Sequence, residues 1–255
     1  MREIGSARTV YDTICSCLIE RRSLSVVRYG DGEAILLNGW RDEKLLEYIF
    51  KRQIGRVPSA DQIIQVRENL KKALVSADII GITIDERKKS SDFWGKGLEI
   101  MIEAIGEDIV NKRFCNIDVH MEFLEKGLLS YILQNREKLV YVSCRDLTEK
   151  FKQNFKIKEV VHLSVPPEIK FNTDYAGVNH YPERFNEIMR EIKNMDLKGV
   201  LCLVGAGFVG KSYCSELAKQ GGVAIDLGSV FDLWAGRKTR GEGRGDQVED
   251  LTWKL

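Results

Sequence analysis

The stretch Ser25–Glu33 reads S-V-V-R-Y-G-D-G-E and predicts a buried strand that ends in an acidic turn. Val26 and Val27 are β-branched and apolar, which is typical of a strand inside a protein core. Gly30 and the glycine two residues later allow the backbone to turn sharply beyond that strand. We therefore expect the chain to leave the sheet here and to present polar side chains at the end of the strand.

The acidic turn, Gly30–Glu33, carries two carboxylates and follows a guanidinium. Asp31 and Glu33 are two residues apart, so their side chains project from one face if the segment stays extended. Neighbouring carboxylates repel each other unless a cation or a proton lies between them, and Arg28 offers a planar donor that suits phosphate. The turn therefore predicts a divalent-metal and phosphate site. The alternative is a polar turn that places Asp31 or Glu33 at the N-terminus of the next helix.

Composition indicates a folded protein without an electrostatic preference for nucleic acid or membrane. Of the 255 residues, 44% are hydrophobic and 30% are charged, and the formal net charge is +1, so no overall attraction to polyanions is expected. The six cysteines lack the paired Cys-x-x-Cys spacing of a zinc site. With no signal peptide and no apolar run long enough to span a bilayer, we expect a cytoplasmic protein. A homo-oligomer is left open.

Strand-like and helix-like segments alternate along the whole chain. Strands are expected at Ser25–Tyr29, Ile79–Ile84, Phe114–Val119, Lys138–Cys144, Glu159–Val165, Gly199–Val204 and Val223–Asp226. This alternation predicts an α/β, Rossmann-like fold whose mostly parallel sheet has helices on both faces. Because no repeat or linker interrupts it, we expect one domain over residues 1–255, with a flexible tail from about residue 236. Ligands of such folds bind beyond the carboxyl ends of the strands.

A second turn, Gly205–Lys211, satisfies two phosphate-binding patterns at once, and we call it the glycine turn. Gly205, Gly207 and Gly210 form G-x-G-x-x-G between a strand and a helix, and Asp226 ends the next strand, as in dinucleotide-binding folds. The run from Gly205 to Ser212 also reads G-x-x-x-x-G-K-S, the P-loop of nucleoside triphosphatases. Either pattern would place phosphate here.

The late position of the glycine turn argues against both patterns in their usual form. A Rossmann fingerprint normally opens its domain, and a triphosphatase needs further strands and a metal-binding acid, although Val223–Asp226 could supply that acid. Both patterns nevertheless share the same physics, since a helix N-terminus offers unpaired N–H groups and Lys211 can neutralise phosphate. The alternative is that these glycines only pack a helix against a strand.

The two turns together resemble the GT-D fold glycosyltransferases, formerly a domain of unknown function and found in bacterial glycosylation of adhesins and surface-layer proteins. The resemblance covers roughly Ser25 to Gly236. It is carried by R-Y-G-D-G-E at Arg28–Glu33, G-A-G-x-x-G-K at Gly205–Lys211, and A-I-D-L-G-S-V-F-D-L-W-A-G at Ala224–Gly236.

This resemblance implies a hexosyltransferase that moves a sugar from a nucleotide diphosphate sugar, with a UDP-sugar expected, to a glycan or glycoprotein acceptor. It implies that the Asp-x-Glu motif, Asp31 and Glu33, binds Mn²⁺ or Mg²⁺ and acts in catalysis with Arg28. The rest of the donor site would comprise Gly30, Gly205, Gly207, Lys211, Asp226 and Ser229. Members of the family often carry histidine where this chain has Ser229, so Ser229 or Asp232 would be the local substitute.

Other residues could join such a site, although capping, packing or solvent exposure explains each of them as well. A general base for the acceptor hydroxyl could come from Asp85, Glu86, Asp118 or His120. Contacts to the base or ribose could come from Asn172, Asp174, Tyr175, Asn179 and His180. Stacking could involve Trp94 or Trp234, and the tail could bring Arg237 and Arg240 over the diphosphate.

Three rivals to a transferase remain open. A P-loop hydrolase or kinase would centre on Lys211 and Ser212, and an NAD-linked enzyme would use Gly205–Gly210 and Asp226. A non-catalytic module would bind a nucleotide sugar without transferring it. The transferase hypothesis requires the acidic turn and the glycine turn to meet at one rim of the sheet.

Overall fold

The computed structural model describes residues 4–38, 43–84, 96–168 and 179–237. Eight strands of these residues form one sheet in which all the paired strands run parallel. In chain order they are β1 (Ile4–Gly5), β2 (Leu24–Arg28), β3 (Ile79–Ile82), β4 (Arg113–Asn116), β5 (Lys138–Ser143), β6 (Glu159–Ser164), β7 (Leu201–Gly205) and β8 (Val223–Asp226). The spatial order is β1-β4-β3-β2-β8-β7-β5-β6. The predicted α/β class and parallel sheet are confirmed.

Helices cover both faces of this sheet. They are α1 (Ala7–Ile19), α2 (Asp31–Asn38), α3 (Glu43–Ile54), α4 (Ala60–Ser76), α5 (Gly97–Ile105), α6 (Glu107–Val110), α7 (Val119–Glu125), α8 (Leu128–Leu133), α9 (Thr148–Phe155), α10 (Phe185–Lys193), α11 (Gly210–Lys219) and α12 (Val230–Trp234). Successive residues of β2 enter different apolar clusters, since Val27 packs with one helical layer and Val26 with the other. In the described part of the chain, no helix is long and apolar enough to cross a membrane.

The centre of the sheet joins an early strand to a late one. β2 pairs with β3 on one side and with β8 on the other, so that Val26 lies opposite both Ile79 and Ile225. β8 in turn pairs with β7. Because all these strands are parallel, the ends of β2, β7 and β8 lie at the same edge, and they bring Arg28 and Asp226 together there.

Several predicted elements have different ends in the structure. The strand expected at Ile79–Ile84 ends at Ile82. Helices α7 and α8 are separated at Gly127, a residue type that commonly ends helices.

The acidic turn is the start of a helix and is not extended. α2 begins at Asp31, with Glu33 in the same first turn. A helix turns about 100° per residue, so side chains two residues apart point in nearly opposite directions. The condition for a shared face, an extended segment, is therefore not met, and the alternative of a polar turn at the N-terminus of the next helix is confirmed. The reason is local capping, because Glu33 accepts a hydrogen bond from the Gly30 N–H at 2.9 Å and Asp31 accepts one from the Gly32 N–H at 2.9 Å.

Candidate functional site

An open cleft of about 1090 Å³, its mouth included, lies beyond the carboxyl ends of β2, β7 and β8. The acidic turn and the glycine turn both line it, so the two stretches meet at one rim. The cleft brings together every residue that the sequence assigns to the metal or donor site, namely Arg28, Gly30, Asp31, Glu33, Gly205, Gly207, Lys211, Asp226 and Ser229. This edge is where parallel α/β sheets bind their ligands.

Arg28 is held in the cleft by contacts to all three of its nitrogens. Nε donates to the Asp226 carbonyl oxygen at 3.2 Å, and Nη2 donates to Asp226 Oδ1 at 3.4 Å. Nη1 lies 2.8 Å from His120 Nε2 and 3.1 Å from His120 Nδ1, and because a guanidinium cannot accept, it donates to the nearer nitrogen, Nε2. The other ring nitrogen, Nδ1, can then donate to the Ile117 carbonyl oxygen at 3.2 Å. A neutral His120 therefore positions Arg28 from behind and does not itself line the cleft.

Lys211 joins three parts of the cleft through one ammonium group. Its Nζ lies 2.5 Å from Glu33 Oε1 and 3.1 Å from Asp226 Oδ2, and it donates to the Gly207 carbonyl oxygen at 3.2 Å. These acceptors belong to α2, β8 and the glycine turn. Lys211 is only 4% exposed. Its nearest acceptors are thus protein groups, and the binding of phosphate by Lys211 stays a prediction.

Burial and charge act in opposite directions on this buried cluster. Burial alone would raise the pKa of Asp226, but the Arg28 guanidinium and the Lys211 ammonium outweigh it and lower that pKa to about 2. Burial alone would lower the pKa of Lys211, but Asp226 and Glu33 raise it above its usual value. At neutral pH Asp226 is therefore a carboxylate and Lys211 an ammonium, and each stabilises the charged form of the other.

Among the described residues that line the cleft, carboxylates outnumber cations. The cationic side chains are Arg28 and Lys211, whereas the carboxylates are Asp31, Glu33, Glu168, Asp226 and Asp232. Arg145, which does not line the cleft, neutralises the charge of Asp232, because its Nε and Nη2 each lie 2.8 Å from Asp232 Oδ1. The remaining excess of negative charge opposes an anionic ligand unless a cation binds with it.

The two carboxylates of the acidic turn differ in accessibility. Asp31 is exposed at the cleft, whereas Glu33 is 7% exposed and both its oxygens are engaged, one by the Gly30 N–H and one by Lys211. Within the described residues, no group of three or more His, Cys, Asp or Glu side chains could hold a metal ion. Mg²⁺ and Mn²⁺ are commonly held by one or two carboxylates together with substrate phosphates. The residues therefore fit a cation that binds with an anionic ligand, with Asp31 as its protein ligand.

The glycines of the glycine turn serve different purposes. A Cβ on Gly205 would meet Phe231, and a Cβ on Gly210 would meet Val204, so these two allow helix and strand to pack. Gly207 has a φ of +59°, and a Cβ there would overlap Gln53 Oε1 within the cleft. Gly205 and Gly210 therefore serve packing, and Gly205 also lines the cleft, as Gly207 does.

Of the residues that the sequence suggested only as possible additions to the site, His180 and Asp232 line the cleft. His180 is buried and lies 3.2 Å from the Tyr213 hydroxyl. Burial, with a smaller contribution from Arg184, lowers the pKa of His180 to about 4, so it is neutral at pH 7. Trp234 is 1% exposed and packs edge-on against Phe151 and Phe231 in the core.

The other candidates lie away from the cleft or outside the described residues. Asp118, Asn179 and Arg237 are described but do not line the cleft. Asp85, Glu86, Trp94, Asn172, Asp174, Tyr175, Arg240 and the tail beyond Arg237 lie outside the described residues. Sequence reasoning missed Gln53, Arg145 and Glu168. Only Glu168 has a local signal, because it follows β6 and the two prolines at 166 and 167.

Comparisons with known proteins bear on the family and the fold. The chain matches the profile of a family described as "GT-D fold-like domain" over residues 5–234. No curated protein sequence matches it. Because the profile covers most of the chain, it identifies the family directly.

Solved structures share the architecture at low sequence identity. One is described as a new glycosyltransferase (DUF1792) from Streptococcus sanguinis, with a TM-score of 0.55, 14% identity, and coverage of 96% of this chain and 93% of that one. Another is described as the highly conserved domain of unknown function 1792 with a distinct glycosyltransferase fold, with a TM-score of 0.54, 16% identity, and coverage of 99% and 90%. At these identities the likeness shows the fold alone. Together with the matching profile, it leads to one conclusion: this chain belongs to the GT-D fold-like family.

Proposed function

We propose that this chain is a metal-dependent glycosyltransferase that moves a hexosyl group from a nucleotide diphosphate sugar, with UDP as the expected nucleotide, to a glycan or glycoprotein acceptor. The observation that carries the proposal is the cleft, where the acidic turn and the glycine turn meet at the carboxyl ends of β2 and β7. The carboxylates outnumber the cations among its described lining residues, and such a lining suits a diphosphate only when a cation accompanies it.

Different residues of the cleft would contact the metal ion and the diphosphate. Mn²⁺ or Mg²⁺, when bound, supplies positive charge to the diphosphate as it leaves. Asp31 is the proposed protein ligand of that ion. Arg28 uses one N–H on each nitrogen to contact Asp226 and His120, and its other N–H groups can donate to phosphate oxygens. Glu33 stays a predicted second ligand, which would have to exchange its contact with Lys211.

The same geometry disfavours the two rival nucleotide enzymes. A P-loop lysine points at the β- and γ-phosphates, whereas Lys211 contacts Glu33, Asp226 and the Gly207 carbonyl oxygen. The acidic residue of an NAD site hydrogen-bonds the ribose, whereas Asp226 is 4% exposed and paired with Arg28 and Lys211. Neither side chain is presented as those chemistries require.

A thermal-shift panel followed by a transfer assay tests the proposal. The protein is heated with UDP, GDP, ADP, ATP or NAD, each with and without Mn²⁺. We expect one nucleoside diphosphate to raise the melting temperature, and to do so only with metal, because ligands that bind the folded state stabilise it. Stabilisation by ATP or NAD alone would contradict the proposal. Release of UDP from a UDP-sugar in the presence of an acceptor then separates an enzyme from a binding module.

Gly228→Ala is expected to displace Arg28. Gly228 has a φ of +51°, and a Cβ there would overlap Arg28 Nη2. We expect affinity for the nucleoside diphosphate to fall about tenfold or more, and the free energy of unfolding to fall by about 1–3 kcal/mol. The control is Gly236→Ala, since Gly236 has a φ of +71° with nothing within 4 Å of a Cβ. Equal losses of affinity in calorimetry for both variants would show that backbone strain, and not Arg28, is responsible.

A further inference from the structure

Helix α3 contacts both turns of the cleft through one face. Ile49 lies 3.8 Å from the position that a Cβ would take on Gly32. Phe50 packs edge-on against Phe208, with ring centroids 5.4 Å apart. One turn further along the helix, Gln53 lines the cleft. Its carboxamide lies between the acidic turn and the glycine turn.

The orientation of the Gln53 carboxamide follows from its partner. Oε1 accepts a hydrogen bond from the Phe208 N–H at 2.9 Å. The flipped amide would set its NH₂ group against that N–H, donor against donor, so Oε1 must face the glycine turn. Nε2 then lies on the other side, 3.1 Å from the position that a Cβ would take on Gly32. No described residue accepts a hydrogen bond from Nε2.

We propose that Gln53 is a donor-binding residue whose Nε2 donates to the diphosphate of the nucleotide sugar, while the Phe208 N–H holds its carbonyl oxygen. This inference rests on the proposed function, since it needs a diphosphate in the cleft. An uncharged N–H donor stays available to a phosphate oxygen in this cleft, because the carboxylates of the described lining do not hold it in an ion pair as Glu33 and Asp226 hold Lys211. Gly207 is required for the arrangement, since any side chain there would meet Oε1.

The decisive variant keeps the side-chain oxygen that faces the Phe208 N–H and replaces the NH₂ group with a second oxygen. In Gln53→Glu, a carboxylate oxygen still accepts from the Phe208 N–H, but the donor toward the diphosphate becomes a negatively charged acceptor. We expect the melting temperature of the variant to equal that of the wild type. We expect its affinity for UDP with Mn²⁺, measured by calorimetry, to fall at least tenfold. If GDP or ADP binds the wild type more tightly than UDP does, that nucleotide is used instead. Mn²⁺ affinity alone, read by electron paramagnetic resonance, should not fall.

Two further variants keep the test decisive. Gln53→Met has similar length and no polar atom, so it should also lose at least tenfold in nucleotide affinity even if Gln53→Glu fails to fold. Gln65→Glu makes the same charge change at an exposed position of α4, where Gln65 Nε2 donates to Asn69 Oδ1 at 3.1 Å. This variant should bind the nucleotide as the wild type does.

The outcomes separate the two proposals. If the wild type binds a nucleoside diphosphate and both Gln53 variants bind it equally well, Gln53 only braces the glycine turn and this inference is overturned. If the wild type binds none of the three nucleotides with Mn²⁺, the proposed function fails and this inference fails with it. Loss in the Gln53 variants, with binding retained in Gln65→Glu, supports it.

Discussion

Asp31→Asn is expected to abolish sugar transfer while leaving the fold unchanged. Asp31 is exposed at the cleft, and its carboxylate contacts the Gly32 N–H at the start of α2, a contact that an asparagine oxygen can replace. What the variant loses is the negative charge that would hold the metal ion. We expect transfer to fall by about 100-fold or more, as when one electrostatic contact to a developing charge is removed, and Mn²⁺ binding to weaken in parallel.

Asp61→Asn provides the matched control for that variant. Asp61 is also an exposed aspartate in the first turn of a helix, α4, but it does not line the cleft. Both variants should melt at the wild-type temperature, and only Asp31→Asn should lose activity and Mn²⁺ affinity. Full metal-dependent transfer by Asp31→Asn would remove Asp31 from the metal site.

Lys211→Met is expected to damage stability as well as activity. The substitution leaves the buried carboxylates of Glu33 and Asp226 without the ammonium that joins them. Removing one partner of a buried ion pair typically costs about 3–5 kcal/mol, a large share of the stability of an ordinary domain. Transfer should be lost as well, because the same ammonium holds α2, β8 and the glycine turn together. Urea unfolding measures the first effect and a transfer assay the second.

The pH dependence of Lys211→Met follows from Asp226. In the wild type its pKa is lowered from 3.8 to about 2, so its contribution to stability is present above about pH 4 and is lost as the pH falls toward 2. Without Lys211 the pKa of Asp226 should rise and this contribution should shrink. The stability difference between variant and wild type should therefore narrow as the pH falls through that window.

Two further variants define what Lys211 does. Lys219 lies on the same helix as Lys211, but its side chain is 62% exposed and its ammonium is 3.9 Å from Glu216. Lys219→Met should therefore leave the free energy of unfolding within about 0.5 kcal/mol of the wild-type value. The double variant Lys211→Met with Glu33→Gln removes one of the stranded charges and should recover part of the lost stability, without recovering transfer. A double variant no more stable than Lys211→Met would contradict the buried-charge explanation.

Local sequence pattern is enough to predict the class of the fold and the two turns that line the cleft. Apolar strands such as Val26 and Val27, each followed by a helix, indicate a parallel α/β sheet from local pattern alone. The sharp turns at Gly30 and Gly205 mark strand ends, and strand ends of such sheets bear the ligand site. These features depend on neighbours along the chain, which is why pattern was enough to find them.

The contacts of those residues follow from long-range packing and could not be predicted from local pattern. Asp31 and Glu33 look equivalent in sequence, yet α2 begins at Asp31 and directs Glu33 toward Lys211, so that one carboxylate is open and the other is buried. Gln53 carries no sequence signal, because its importance comes from the contact between α3 and the glycine turn. His120 is a possible base by sequence, and the structure adds that it contacts Arg28. Each of these contacts joins residues far apart in sequence, and their proximity depends on the pairing of β2 with β8 and on helix packing, which no local pattern encodes.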